Sequence, residues 1–477
     1  MEPRPLEFIA NACAGQLTEG SPAKPVLRVC TDSRQVQAGD LFVALSGERF
    51  DGHAFLPEAI RKGAAAMLIE RRRSAALESC ATTSTRAASK PSAPACAVIT
   101  VDDTRKALGR LASEYRKQFT LPVIAVGGSN GKTTTKELLA AVLRQRLSTL
   151  WSEASFNNDL GVPLTLLRLE KSHRVAVLEV GTNHPGELEP LLRMVQPRYC
   201  ILTSIGREHL EFFGDLSGVV REESWLAKVA PADGKLFLNG DSEWSASIAE
   251  RSSAPVVRVG FEAKNSWRVR SCRTDKQGVT FQVEGPGKDF SGEYRVNLLG
   301  RHQAVNALFA IAAGVELGLS RDEIQRGLAE CKPAKMRMQL WELNGVRVLD
   351  DAYNANADSM LAALQTLQDL PCKGRRVAVL GDMAELGAHS QAAHEEIGRR
   401  AAELGVGQLF AVGRMAMEIA RGAREAGLNR VFEFADVETA AAAVRSFVKH
   451  GDVLLLKASR ATRLERVAEA LRTTPLN

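Results

Sequence analysis

Residues 121–133 read LPVIAVGGSNGKT, and TTKELLAAVLRQRL follows without a break. An apolar run leads into a glycine-rich turn, and Leu138, Leu139, Val142 and Leu143 then recur at helical spacing. Strand, tight loop, helix is the repeating piece of a parallel sheet, and such a sheet needs helices on both faces. The loop also carries chemistry. Its glycines let backbone N–H groups close around phosphate oxygens at a helix N-terminus. Lys132 can neutralise β- and γ-phosphates, and Thr133 can offer its hydroxyl to Mg²⁺. Val126 stands where the longer GxxxxGK[ST] pattern has its first glycine, so this is the shorter GxNGKT form. Gly128, Ser129, Asn130, Gly131, Lys132, Thr133 and Thr134 are the expected nucleotide-binding residues.

The alternation continues on both sides. RVAVLEVG, RYCILTSIG and KLFLNGD read as further buried parallel strands separated by helical stretches. Residues 256–299 alternate polar and apolar with several glycines, which reads as antiparallel strands added to that sheet. Beyond Pro333, the runs VRVLDD, RRVAVLGD, QLFAVG and DVLLLKAS alternate with amphipathic stretches, the pattern of a doubly wound domain. Ligands of such sheets bind outside the carboxyl ends of the strands, where VLDDAY, VLGDM and LLKASR place polar residues. Upstream, LFVALSG, AAAMLIE and ACAVITV form a smaller α/β domain, interrupted at 71–97 by an Ala/Ser/Thr-rich insertion read as a mobile loop or frayed helix end. At 477 residues the chain has room for about three domains. The expected fold is α/β: a small N-terminal domain over 1–118, a central P-loop ATPase-like, mostly parallel sheet over 119–332, and a Rossmann-like domain over 333–477.

Composition excludes several classes. With 45% apolar and 25% charged residues the chain is neither disordered, collagenous nor a coiled coil. The charge of +6 comes from 62 basic against 56 acidic residues, spread along the chain. That suits a solvated surface with a few cations facing a small polyanion, and it argues against a nucleic-acid partner. No apolar run reaches about 18 residues, so membrane insertion is not expected. MEPRPLEFIANACAG is charged at once and is not read as a secretory signal. The eight cysteines form no CxxC pair and read as buried thiols in a reducing cytoplasm.

Taken in order, CTDSRQVQAGDLFVALSGERFDGHAF, FNNDLGVPLTLL, LEVGTNHPGELEPL, TSIGREHLEFFGDL, RHQAVNALFAIAAG, DDAYNANADSM, VLGDMAELG and LLKASR resemble the Mur ligases of peptidoglycan synthesis over nearly the whole chain. The GxNGKT loop alone also admits folylpolyglutamate synthase. The resemblance implies an ATP- and Mg²⁺-dependent amide ligase that joins D-alanyl-D-alanine to UDP-N-acetylmuramoyl-tripeptide through an acyl phosphate, as a cytoplasmic monomer. It assigns Ser33 and Arg34, beside Thr31 and Asp32, to the uridine-diphosphate end of that substrate. It sets Asn158, Thr182, Asn183 and His184 along the substrate site, and Tyr353, Asn354 and Asn356 near the incoming dipeptide. Asn306 resembles the adenine contact, Arg337 a phosphate contact and Asp351 the ribose contact. Lys132, Glu179, His209 and Glu223 form the expected catalytic set, with Thr133, Glu179, His209 and Glu223 as metal ligands.

Three positions depart from the family pattern. Ala357 replaces the proline of YNANP, which questions the rigidity of that loop. Ala458 replaces the glycine of KGSR, and a positive φ there would be strained. Glu223 stands where many Mur ligases carry a carbamylated lysine; a carboxylate matches the carbamate's charge and hard oxygens. A slipped alignment makes Lys228 the modified residue instead. These departures also admit a pseudoenzyme, and the loop by itself a nucleotide-dependent switch.

Overall fold

The computed structural model describes residues 1–47, 50–73 and 96–473. They divide into two compact units. The first comprises 1–123, 148–180 and 190–196, and the second comprises 124–147, 181–189 and 197–477.

In the first unit a five-stranded sheet runs in the order Gln16–Glu19, Ala97–Val101, Ala66–Glu70, Asp40–Val43, Arg28–Cys30. Every pair is parallel except the first. Its three central strands are buried at every residue, as strands covered on both faces must be. The helix Thr104–Arg116 follows the last of them, capped by the Asp103 carboxylate, which accepts from Arg105 N and Lys106 N at 2.9 Å each. Thr149–Trp151 and Val175–Glu179 form a parallel pair in the same unit. Most of the insertion expected at 71–97 lies outside the described residues; Arg71–Arg73 make a single 3₁₀ turn and Ala97 opens a strand.

The second unit holds the phosphate-loop strand. Val123–Gly127, Tyr199–Leu202, Lys235–Asn239, Val256–Gly260 and Trp267–Asp275 follow one another in parallel, and Gly278–Glu284 and Gly292–Val296 then add in antiparallel. The expectation of antiparallel strands throughout 256–299 is therefore corrected at its start. The helix Ser245–Ala249 lies between two strands, so the chain re-enters the sheet in its original direction. Direction reverses only at the turn where the Asp275 carboxylate accepts from Gln277 N and Gly278 N.

A second sheet of this unit has the order Gln339–Leu343, Val346–Asp350, Val453–Lys457, Arg376–Gly381, Gln408–Val412, Val431–Phe434. Alternate residues of its parallel strands bury on opposite faces. Leu349, Leu455, Ala378, Leu380 and Leu409 pack into one apolar cluster, while Val348, Leu454, Val377, Val379 and Phe410 pack into another. Helices cover both faces, which is the doubly wound arrangement expected of this segment. The antiparallel edge strand Gln339–Leu343 was not expected. Its signal is the Asn344-Gly345 pair, where both residues have positive φ, as a two-residue hairpin turn requires.

Among the described residues no helix is long and apolar enough to cross a membrane, and the described cysteines are free thiols. Burial pushes the Cys13 thiol up to about 12, consistent with an inert core residue.

Candidate active site

The phosphate loop leaves its strand at Gly127 and enters the helix Lys132–Leu143. Two backbone positions explain its glycines. Gly128 has φ +111° and a Cβ there would stand 2.6 Å from Thr203 Oγ1; Gly131 has φ +87° and a Cβ would meet Asn306 Oδ1 at the same distance. The loop is stitched to the end of the neighbouring strand. Thr203 Oγ1 donates to Asn130 O at 2.6 Å, Asn130 N donates to Ser204 Oγ at 2.8 Å, and Gly206 N donates to Ser129 Oγ at 2.8 Å. Thr133 is buried in the first turn of the helix.

Lys132 folds back over this loop. Its ammonium donates to Gly128 O and Ser129 O and stands 3.4 Å from Glu208 Oε2. Glu223 is 1% exposed and Glu208 is buried as well. Both oxygens of Glu223, and Oε1 of Glu208, lack a hydrogen-bond partner. Burial, and after it the Glu208 charge, push the Glu223 carboxyl up to about 8; Lys132 and the nearby Gly128 amide oppose this, the latter without reaching hydrogen-bond geometry. Two buried carboxyls and one ammonium thus sit directly behind the phosphate loop. Glu208 was missed in the sequence, although it precedes His209 in the same REHLE segment. Lys228 is exposed, with its ammonium 4.0 Å from the centre of the Trp225 ring.

The second sheet brings its own strand ends to this loop. Asn356 Nδ2 donates to Asn130 Oδ1 at 3.0 Å. Asp358 accepts from Arg207 N at 2.7 Å and from Arg207 Nε at 3.0 Å. His209 Nδ1 pairs with Glu385. Asn306, in the helix Gln303–Glu316, donates to Gln303 Oε1 at 2.8 Å and presents Oδ1 to Thr135 and Gly131. Asp351 accepts from Met338 N at 3.0 Å and pairs with Lys457, whose ammonium also donates to Asn354 O at 3.1 Å. The Arg337 guanidinium lies 4.3 Å over the Tyr353 ring. Asn183 N and His184 N both donate to Glu187 Oε2, and Thr182 Oγ1 donates to His184 O. The structure thereby gathers Gly128 to Thr134, His209, Glu223, Asn306 and Asn356 around one loop.

Other expected residues are described within the first unit. Ser33 Oγ donates to Glu58 Oε2 at 2.8 Å, and Lys62 Nζ donates to Ser33 O and Arg34 O. Arg34 is exposed and forks onto Asp32, whose carboxyl is held down at about 2 by the guanidinium and then by the Arg34 amide. Asn158 accepts from Gly161 N at 2.9 Å at the head of the helix Gly161–Leu166. Glu179 ends its strand 1% exposed and accepts from Asn157 Nδ2 at 3.0 Å.

Three family models match in chain order: the Mur ligase family, catalytic domain over 26–116; the Mur ligase middle domain over 126–314; and the Mur ligase, glutamate ligase domain over 336–460. The UDP-N-acetylmuramoyl-tripeptide–D-alanyl-D-alanine ligase of Escherichia coli (strain K12) is 36% identical over 93% of this chain and 93% of its own. The chain belongs to the Mur ligase family. Among solved structures, MurF from Acinetobacter baumannii superposes with a TM-score of 0.87 at 31% identity, covering 99% of this chain and 100% of that one. MurF ligase from Thermotoga maritima, solved in complex with ADP, superposes with a TM-score of 0.77 at 28% identity, over 93% and 96%.

Within the Mur ligase pattern, two departures prove structurally benign. Ala357 is the first residue of the helix Ala357–Asp369, and Asn356 and Ser359 close a capping box around its start. That box fixes the entry of the helix without proline. Ala458 is not in the left-handed region, so the expected strain is absent. Its methyl group occupies space left open by Gly381, where a Cβ would approach Ala458 Cβ to 2.8 Å.

Proposed function

We propose that this Mur ligase joins D-alanyl-D-alanine to UDP-N-acetylmuramoyl-tripeptide at the expense of ATP, completing the muramoyl pentapeptide used for the cell wall, and hence for cell shape and division. The observation that carries the reading is the grouping of Lys132, Glu208, Glu223 and His209 behind a phosphate loop to which Asn356 of the neighbouring sheet is bonded.

The chemistry explains the grouping. A substrate carboxylate oxygen attacks the γ-phosphorus of ATP and ADP leaves, giving an acyl phosphate. The dipeptide amine then attacks the acyl carbon and phosphate leaves. Like charges meet in the first step, so positive charge must be set in place beforehand. Lys132 supplies it at the phosphate loop. In this reading Asn306 would contact the adenine, Arg337 a phosphate and Asp351 the ribose. Tyr353, Asn354 and Asn356 would meet the incoming amine.

The residues also fit Mg²⁺. Three buried carboxylate oxygens without partners are hard donors of the type this ion takes. Thr133, His209 and Glu223 would hold it. When bound, the ion supplies charge neutralisation on the phosphoryl oxygens.

The same reading takes the domains as 1–118, 119–332 and 333–477. Separate sheets within 16–101 and 339–457 support these limits. Cytoplasmic location and a monomeric state belong to the proposal. A coupled assay tests it: ADP release should require both UDP-N-acetylmuramoyl-tripeptide and D-alanyl-D-alanine. Release that is indifferent to the dipeptide would reject the assignment.

A further inference from the structure

GDMAELG, residues 381–387, is one of the segments that carry the resemblance to the Mur ligases. Its Glu385 reaches across from the second sheet to His209 of the first. The two residues share an unusual backbone: His209 has φ +49° and Glu385 φ +59°, a region that side chains rarely enter. Neither is glycine, so each is held there by its surroundings. The segments also dock through their main chains. Glu211 N donates to Glu385 O at 3.0 Å, and His389 Nε2 lies 3.1 Å from Gly214 O.

The geometry points to Glu385 as a positioning residue for His209. A carboxylate has only acceptors to offer, so the hydrogen between the two residues is on His209 Nδ1. In the neutral ring this leaves the lone pair on Nε2. That atom is on the other side of the ring, 4.0 Å from Glu208 Oε2, which in turn stands 3.4 Å from Lys132 Nζ. Glu385 therefore selects the tautomer whose free nitrogen faces the carboxyl cluster behind the phosphate loop. A carboxylate behind a histidine does this at many metal centres, and losing it costs about 10–100-fold in metal affinity or activity. The C-terminal sheet thereby contributes to a site whose other members belong to the central one. The inference rests on the metal-site reading of His209 given above.

The test uses the full-length protein labelled with ¹⁵N-histidine. The chain has eight histidines, so the His209 signals are assigned by their loss in His209→Asn. In the metal-free wild type, at a pH high enough that the ring is neutral, Nδ1 should show the shift of a protonated ring nitrogen and Nε2 that of a bare one. Glu385→Ala should move His209 towards the opposite tautomer, and Glu385→Gln, which keeps an acceptor, should retain the original one. Glu385 is part-exposed, so truncation is expected to fold; Glu385→Met replaces the alanine variant if it does not. Binding of Mn²⁺ in the presence of a non-hydrolysable ATP analogue, read by electron paramagnetic resonance, should weaken about tenfold in Glu385→Ala and little in Glu385→Gln. An unchanged tautomer in Glu385→Ala overturns the inference, as does an altered tautomer with unchanged Mn²⁺ binding. Failure of the wild type to ligate would count against the ligase reading only, because tautomer and Mn²⁺ binding decide this inference without turnover.

Discussion

Asn356 donates from Nδ2 to Asn130 Oδ1 at 3.0 Å while its own Oδ1 accepts from Ser359 N at 2.9 Å. One amide therefore starts the helix Ala357–Asp369 and ties that start to the phosphate loop. The two tasks can be separated. Serine caps helices nearly as well as asparagine but has no amide to reach Asn130. Asn356→Ser should keep the melting temperature near wild type and lower kcat about tenfold or more, since small misplacements of reacting groups cost on the order of 10²-fold. Asn356→Ala should lose about 1 kcal/mol of stability as well. Wild-type turnover in Asn356→Ser would show that the tie to the loop is incidental.

Lys132 faces a loop built for phosphate and two buried carboxyls at once. Lys132→Ala removes the charge expected to act on the transferring phosphoryl group, and turnover should fall about 10²-fold or more. Part of Lys132 is enclosed, with 15% of its side chain exposed, so the loop is less of a surface feature than its glycines suggest. The variant should still fold, because Glu223 can stay protonated without its counter-ion. ADP release within a few-fold of wild type would remove Lys132 from the chemistry.

How much of this was legible depends on whether the chemistry is local in the chain. The phosphate loop could be read because strand, glycines, Lys132 and Thr133 are contiguous and each has a local reason to be there. Glu208 could not, because its meaning comes from Glu223 and Lys132, which other segments deliver to the same point. Glu385 was hidden for the same reason, with only the specificity of its motif as a hint. Strand direction failed at Val256–Gly260, since alternation reports which face is buried and not which way the chain runs. Ala357 and Ala458 looked suspect against a family pattern; the first is explained by the local Asn356–Ser359 capping box, the second by Gly381 on a neighbouring strand.

The Gly381–Ala458 contact offers a test of that last point. Gly381→Ala would place its Cβ 2.8 Å from both Ala458 Cβ and Thr462 Cγ2. Overpacking of this kind costs about 1–3 kcal/mol. Ala458→Gly alone should cost about 1 kcal/mol for the buried methyl group and the freer chain. Made together, the changes exchange the methyl group between the ends of neighbouring strands, and the double variant should recover about 1 kcal/mol relative to the sum. Urea unfolding of the four proteins measures this. Strict additivity would mean that the two sites do not compensate each other.

Glu223 gives the pH dependence a definite sign. Its carboxyl has an ordinary value of 4.5 when exposed and about 8 in the folded chain. Between these values the unfolded chain gives up a proton that the folded chain keeps. The unfolded state then binds fewer protons, so stability falls as pH rises. The favourable contribution of the protonated group is complete below about 4.5 and is lost as pH passes through about 8. Glu223→Gln is neutral throughout and lacks this loss. In metal-free protein its unfolding free energy should match wild type near about pH 5 and exceed it near about pH 9, by an amount on the order of a few kcal/mol. Mg²⁺ with a non-hydrolysable ATP analogue should narrow the gap, because a nearby cation favours the carboxylate. Turnover should show the opposite preference. Glu223→Gln should be slower and need more Mg²⁺, while added bicarbonate should have no effect and Lys228→Ala should be tolerated. Parallel pH–stability curves for the variant and wild type would exclude a buried, proton-holding Glu223. Bicarbonate activation that disappears in Lys228→Ala would transfer the role to Lys228.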